Sequence, residues 1–307
     1  MRYSETAAVV VTYNRSAILR ENIKCLLNQK YPCDIYIIDN ASTHSTYDTV
    51  NAFNDSRVHY FNTGSNLGGA GGFEYGTRRA VEDGYRFVWL MDDDTLPSPS
   101  ALSAFHEAGK NLQNWGALSS ASYWTDGSIC RANRQKKSLF SFVSNKEIER
   151  GEPVRLIMAS FVSLLVKSEV IQDVGLPLGE YFIWTDDYEF TSRISRKYNL
   201  YLIPSSKVVH AMKENRKINL ASEESERIER FKHVYRNDVH CYRQLGFQGW
   251  LYLIAKFSYT LLNVLLHSKG RKLEKIRVML NGFKEGLSFS PAVKYVNHVN
   301  GGGGQQR

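Results

Sequence analysis

Three consecutive carboxylates, Asp92-Asp93-Asp94, close the apolar run Arg86–Met91 (RFVWLM). Adjacent carboxylates beside a core repel one another and lose hydration, so they require a cation or a solvated mouth. In an extended segment residues 92 and 94 point the same way. They could then share one divalent ion, and hard oxygen ligands favour Mg²⁺ or Mn²⁺. The competing reading is a solvated acidic turn feeding Pro97, because triplets of this kind are not rare. Other polar groups follow apolar runs in the same manner. Thr12-Tyr13-Asn14-Arg15 comes after Ala7–Val11, Asp39-Asn40-Ala41-Ser42 after Asp34–Ile38, and the glycine-rich Asn66–Phe73 (NLGGAGGF) after Val58–Phe61. Leu67 and Phe73 interrupt that last stretch, which favours close backbone approach to a ligand and then a helix start over a flexible loop. It is not GxGxxG with an acidic residue about twenty positions on, so a dinucleotide site is a weak reading.

The elements that must hold these groups alternate regularly over the first hundred residues. Ala7–Val11 is a short β-branched run of the kind buried in a parallel sheet, and Ile18, Leu19, Ile23, Leu26 and Leu27 fall at helical spacing behind it. Asp34–Ile38, Val58–Phe61 and Arg86–Met91 predict three more strands, with a helix through Arg78–Glu82. Such alternation means a mostly parallel sheet with helices on both faces, where ligands gather at the carboxyl ends of the strands. Beyond Pro97 the pattern loosens. Ser98–Gly109 is expected to be a helix, polar and basic Ser119–Glu152 an active-site loop or lid, and Tyr198–Ile203 and Lys207–His210 short edge strands. Tyr181–Glu189 (YFIWTDDYE) is an aromatic-acidic cluster before a helix, and from Ser222 to about residue 285 the composition is helical.

VVVTYNR, IDNAS, NLGGAGGFEYG and WLMDDDT resemble the nucleotide-sugar-binding half of inverting family 2 glycosyltransferases with a GT-A fold. They look most like bacterial galactofuranosyltransferases, with the rhamnosyltransferases close behind, and the resemblance runs from about residue 6 to 245. It implies an α/β, Rossmann-like GT-A catalytic domain over 1–215, with a donor half (1–110) and an acceptor and base half (111–215), followed by a helical extension over 216–300 and a disordered tail over 301–307. Thr12, Tyr13 and Arg15 would line the nucleotide pocket, Asp39 would contact the nucleoside, and Asn66, with Gly68 and Gly69, would approach the sugar diphosphate. Asp92 and Asp94 resemble the metal-binding pair, Asp92 and Asp93 lie toward the donor sugar, and His210 resembles the histidine that completes the site around Mn²⁺ or Mg²⁺. Trp184-Thr185-Asp186-Asp187 resembles the element that carries the catalytic base, with a threonine between the tryptophan and the acids; Asp187 is the expected base and Asp186 its rival. Trp184 is either core or an aromatic face for the acceptor sugar. Tyr235-Arg236-Asn237 resembles a late element of the family, although Arg236 could equally cap or pair within its helix. The implied reaction moves a sugar, galactofuranose from UDP-galactofuranose or rhamnose from dTDP-rhamnose, to a glycan or lipid-linked glycan acceptor of a bacterial surface polysaccharide. Elementary chemistry agrees: transfer from a nucleoside diphosphate needs a base for the acceptor hydroxyl and a cation for the departing diphosphate. A glycosidase would need its two carboxylates but no diphosphate pocket. A nucleotidyltransferase would want a basic phosphate-gripping motif early in the chain, where only Arg15 stands, and a non-catalytic nucleotide-sugar-binding module is the third alternative.

The chain has 307 residues, 43% hydrophobic, with 39 Lys+Arg against 31 Asp+Glu and a formal charge of +8. That suits one large α/β domain with an appendage and excludes intrinsic disorder. The positive excess is spread out and no nucleic-acid-binding signature accompanies it, so nucleic acid is not an expected partner. Four cysteines without CxxC or zinc spacing are expected to be reduced thiols, and the polar opening Met1–Thr6 carries no secretory signal, so a cytoplasmic location is expected. Trp250–Leu266 is strongly apolar, but Lys256, Thr260, Asn263 and His267 form one polar stripe, and Lys269, Arg271, Lys272, Lys275 and Arg277 follow. The stripe argues against a transmembrane span. Two readings stay open: a helix packed on the domain or on a second subunit of a homo-oligomer, or an in-plane helix over 249–285 at the inner face of the cell membrane, its basic neighbours meeting anionic lipid.

Overall fold

The computed structural model describes residues 3–43, 45–216 and 219–296. Its strands are β1 (Thr6–Thr12), β2 (Asp34–Asp39), β3 (Val58–Asn62), β4 (Phe87–Asp92), β5 (Thr95–Pro97), β6 (Trp115–Tyr123), β7 (Lys136–Ser138), β8 (Ser141–Phe142), β9 (Val154–Leu156), β10 (Leu164–Lys167) and β11 (Asn199–His210). Its helices are α1 (Ser16–Leu27), α2 (Thr46–Asn51), α3 (Gly68–Glu82), α4 (Ala101–Asn111), α5 (Asn145–Glu149), α6 (Ser168–Val174), α7 (Asp186–Ser195), α8 (Phe231–Arg243), α9 (Gly246–His267) and α10 (Lys272–Ser288).

Alternation along β1, β2 and β4 builds two core layers, one on each side of the sheet. Val9, Val11, Tyr36, Ile38 and Leu90 face one layer with Phe73 of α3. Ala8, Val10, Ile35, Ile37, Trp89 and Met91 face the other with Leu19, Ile23 and Leu26 of α1. The sheet runs β3-β2-β1-β4-β10-β6-β11-β5, with β9 also on β11. The β1–β4 half is wholly parallel. The second half mixes a parallel β6/β11 ladder with antiparallel pairings of β10, β5 and β9.

Two expectations are corrected here. Residues 198–210 are not two short edge strands. β11 is one strand, set between β6 and the antiparallel β5 and β9, with its register against β6 shifted between Ile203 and Lys207. Pro204, which has no N–H to give, falls in that shift. Nor does the polar stretch from Ser119 begin as a loop: it continues β6, and Ser119 and Ser120 are buried because side chains from other segments satisfy their hydroxyls. Ser120 Oγ lies 2.7 Å from Ser163 Oγ and 2.7 Å from Ser206 Oγ, so hydroxyl pairing replaces the missing apolar groups.

The last three helices form a layer of their own around Ile228, Phe231, Tyr235, Val264, Val278 and Met279. Helix α9 is turned inside out. Lys256 points inward to Asp238 at 2.6 Å and Thr260 and Asn263 are half-buried, whereas Phe247, Ile254, Tyr259, Leu262, Leu265 and Leu266 are exposed. The basic cluster is also less free than the sequence implies, because Lys275 is fully buried against Ser268, Glu224 and the Ala221 carbonyl. The expected tail at 301–307 lies outside the described residues.

Candidate active site

The acidic triplet starts at the end of β4 and runs into β5, and β5 is what brings His210 to it. In the antiparallel β5/β11 ladder Thr95 pairs with His210, and the Ala211 amide donates to the Asp94 carbonyl at 2.8 Å. The Asp92, Asp94 and His210 donor atoms thereby lie within 4.8 Å of one another. His210 Nε2 stands 3.1 Å from Asp94 Oδ1. Burial alone would discharge this pair, but mutual hydrogen bonding and charge hold Asp94 down at about 2 and lift His210 to about 10. Asp92 has no such partner; burial and the neighbouring Asp94 push it up to about 6. Asp93 points the other way, accepting from Thr12 Oγ1 at 2.8 Å and meeting Arg15 Nη1 at 2.9 Å, while Arg15 Nη2 reaches Asp94 at 2.8 Å. Burial still raises Asp93 to about 7. Two carboxylates and an imidazole supply the oxygen and nitrogen donors that Mn²⁺ or Mg²⁺ accepts, so the residues fit such an ion.

The ends of β1, β2 and β3 lie on the same edge of the parallel half as the end of β4. Asp39 is buried, with Oδ1 taken by Ser42 (N at 3.0 Å, Oγ at 2.5 Å) and Oδ2 by the Tyr60 hydroxyl at 2.6 Å. Tyr13 and Asn66 are exposed, and Asn66 Oδ1 caps the start of α3 by accepting from the Gly68 amide at 2.9 Å. Gly68 has φ +72°, and a Cβ there would lie 2.0 Å from the Phe182 carbonyl oxygen. Ala70 N–H donates to that same oxygen at 3.1 Å, so the glycine lets the segment before α7 lean on the α3 N-terminus. Gly69 faces open space.

That segment is strained. Phe182, Trp184 and Thr185 have φ of 63°, 65° and 67°, a region that costs an L-residue about 1–2 kcal/mol. Helix α8 holds it in place. Asn237 Nδ2 donates to the carbonyls of Tyr181 (3.0 Å), Ile183 (3.0 Å) and Trp184 (2.9 Å). Arg236 donates to those of Glu180 (2.9 Å) and Tyr181 (3.1 Å), and Thr185 Oγ1 donates to Asp238 at 3.1 Å. Arg236 therefore braces a neighbouring segment as well as standing near Glu285 of α10. The segment delivers Asp186 and Asp187 to the first turn of α7, where the helix dipole favours negative charge. Burial nonetheless raises both, Asp186 to about 7 and Asp187 well above the usual carboxylate range, with the Asp92 charge contributing to each. Asp187 lines a cavity of about 280 Å³ together with Trp184, which also packs on Phe231 at 5.2 Å between ring centres.

Residues 7–147 match the model of the Glycosyl transferase family 2. That stretch, just under half of the chain, is similar to a family 2 glycosyltransferase domain. The match contains the four strand ends and the acidic triplet, whereas Asp186, Asp187 and His210 lie beyond it. The galactofuranosyltransferase GlfT1 of Mycolicibacterium smegmatis is 24% identical over 203 residues, 62% of this chain and 65% of that protein, so the chain spans just under two thirds of the relative's length. Among solved structures, GalNAc-T7 with UDP, GalNAc and Mn²⁺ matches 90% of this chain and 54% of its own at 13% identity and TM-score 0.62. The mannosyltransferase PcManGT from Pyrobaculum calidifontis, in complex with GDP-Man and Mn²⁺, matches 94% of this chain and 77% of its own at 16% identity and TM-score 0.54. These likenesses establish a GT-A-like fold with a helical C-terminal region.

Several residues to which the sequence assigned no role are also brought to the site by the fold. Asn40 is buried with its amide on the Gly68 carbonyl at 2.9 Å. Arg131 and Arg134 line the Asp187 cavity with Lys256 of α9. Lys136 is buried against the hydroxyls of Tyr242 (3.1 Å) and Tyr252 (2.8 Å). The only sequence signal for this group is the density of basic residues at 131–137, which equally describes a solvated surface loop.

Proposed function

We propose that the protein is a metal-dependent, inverting glycosyltransferase that moves galactofuranose from UDP-galactofuranose to a glycan or lipid-linked glycan acceptor in the synthesis of a bacterial surface polysaccharide. The observation that carries this reading is the Asp92–Asp94–His210 cluster, whose donor atoms lie within 4.8 Å of one another; the Asp92 charge also helps to raise Asp186 and Asp187. The distant likeness to GlfT1 supports galactofuranose over other sugars.

In this reading Thr12, Tyr13, Arg15 and Asp39 line the nucleoside site, and Asn66, Gly68 and Gly69 approach the diphosphate at the α3 N-terminus. Asp92 and Asp93 lie toward the donor sugar. Asp92, Asp94 and His210 would hold Mn²⁺ or Mg²⁺, which when bound neutralises charge on the departing diphosphate. Asp187 takes the proton of the acceptor hydroxyl; a base whose pKa is raised toward the working pH suits that task. Asp186, behind it, keeps the Asp187 pKa high. Attack by the acceptor oxygen on the face opposite the leaving group then inverts the anomeric centre. Trp184 offers its ring to the acceptor sugar.

Residues 1–215 make up the catalytic unit, and 216–300 the extension that seats it on the cytoplasmic face of the membrane. The outward leucines of α9, with Lys269, Lys272 and Arg277 exposed nearby, favour lipid as its neighbour. Purified protein incubated with UDP-galactofuranose, UDP-galactopyranose, dTDP-rhamnose or UDP-glucose tests the reading. Turnover of UDP-galactofuranose that EDTA abolishes and Mn²⁺ restores is expected. Turnover indifferent to EDTA would remove the metal role, and preference for dTDP-rhamnose would replace the donor.

A further inference from the structure

The cavity beside Asp187 is lined by side chains of two unlike kinds. Trp184, Phe142 and Tyr188 are aromatic, whereas Arg131, Arg134 and Lys256 are cationic. Lys256 has its counter-ion in Asp238 at 2.6 Å. The arginines do not: among the described residues neither guanidinium meets a carboxylate. Arg134 is half-buried and reaches only neutral acceptors, Asn145 Oδ1 at 3.1 Å and the Val143 carbonyl, while its buried Nε has no partner at all. A guanidinium held in this way is only partly compensated for its burial, with no counter-ion and an unsatisfied Nε that an anion would complete. Its position is firm, because Tyr188, the residue after Asp187, donates its hydroxyl to the Arg134 carbonyl at 2.6 Å. Arg131 is exposed at the same rim. Lys256 belongs to α9, so the wall of this cavity and the apolar outer face of that helix are two sides of one element.

We propose that Arg131 and Arg134 form an anion subsite in the acceptor cleft, and that the acceptor carries a phosphate or diphosphate group which this subsite grips while its sugar lies between Trp184 and Asp187. The inference rests on the transferase reading for the place of the acceptor hydroxyl. Planar guanidinium groups match phosphate oxygens in pairs, and phosphate would supply the acceptor that the Arg134 Nε lacks. A phosphate there also gives the cleft a direction: hydroxyl at Asp187, charge at the arginines, and any lipid portion along α9.

Calorimetry on the full chain in EDTA, so that no metal carries diphosphate to the acidic triplet, tests the subsite with decyl diphosphate, decyl maltoside and inorganic pyrophosphate as probes. Decyl diphosphate is expected to bind, and Arg134→Gln and Arg131→Gln each to weaken it about tenfold, as the loss of a charged hydrogen bond predicts. Arg134→Lys should recover part of the affinity. Arg131 is exposed, so its variant stays informative if Arg134→Gln folds poorly. Pyrophosphate binding as tightly as decyl diphosphate supports a subsite that recognises phosphate without the lipid, and weaker pyrophosphate binding supports a lipid-linked source. Decyl maltoside binding equally well, or decyl diphosphate affinity unmoved by both glutamine variants, overturns the proposal. UDP binding in Mn²⁺, measured alongside, separates the two levels. UDP bound without decyl diphosphate sinks the subsite alone, and no UDP binding sinks the transferase reading beneath it.

Discussion

Replacing Asn237 with alanine is expected to damage turnover far more than stability. The side-chain amide is the common donor to three carbonyls of the segment that delivers Asp186 and Asp187. The amide has two N–H groups, so one hydrogen is shared between two carbonyls, and at about 1 kcal/mol net per bond the clamp is worth roughly 2–3 kcal/mol. It works against three left-handed residues, Phe182, Trp184 and Thr185, which together store about 3–6 kcal/mol. Once the amide is gone the segment can relax toward ordinary φ values, and that relief offsets most of the lost bonding. The net stability change should then be only about 1 kcal/mol, a fall in Tm of roughly 2–4 °C. Relaxation moves the acids, and displacement of a reacting group by about 1 Å costs on the order of a hundredfold in rate. Donor hydrolysis and transfer, assayed beside thermal melts, should show kcat down about a hundredfold with a small shift in Tm. Asn237→Asp should be worse in both respects, since it sets a carboxylate against three carbonyl oxygens. A variant that melts 10 °C lower with kcat intact would refute the reasoning, because the strain would then not be held by Asn237.

Asp187→Asn should abolish transfer while UDP still binds in Mn²⁺, and Asp186→Asn should leave measurable activity; the reverse ranking in single-turnover assays would exchange their roles. His240 gives a pH-dependent contribution to stability. Burial, then the charges of Arg243 and Arg193, lower its pKa from 6.5 to about 4, and Tyr181 Oη lies 2.7 Å from its Nδ1. A depressed folded-state pKa means the unfolded chain binds the extra proton, so this contribution is complete above about pH 6.5 and is lost as pH falls toward 4. Urea midpoints of His240→Gln should fall less steeply than wild type over that window, and parallel slopes would contradict the assignment. For α9, co-sedimentation with phosphatidylglycerol vesicles should be lost in Ile254→Glu and Leu262→Glu, both exposed in the structure. Equal sedimentation of wild type and variants, or a wild type that dimerises instead, would favour the subunit contact.

What was legible in the sequence was local. The apolar runs of β1, β2 and β4 and the spacing of Leu19, Ile23 and Leu26 are written in consecutive residues, and so are the polar groups at the strand ends. What escaped depends on partners far along the chain. Ser120 is compatible with a strand interior only because Ser163 and Ser206 come to it. The meeting of Asp94 with His210, expected from the family resemblance and not from any local pattern, is made by the β5/β11 ladder, and Trp184 is held left-handed by an amide 53 residues away. Helix α9 is the sharpest instance. Composition left it undecided between a core helix and a membrane helix, because both are apolar with a narrow polar stripe. The two differ in which side of the stripe is wet, and that is a property of the docked helix rather than of its sequence. Here the charged member of the stripe, Lys256, is spent on Asp238, whose other oxygen accepts from Thr185 beside the two candidate catalytic acids. Lys256 is thus recruited to position the site, and with that side of the helix turned inward the leucines face outward. An exposed apolar face of that kind is the usual mark of an interaction surface, which the vesicle and dimerisation measurements read directly.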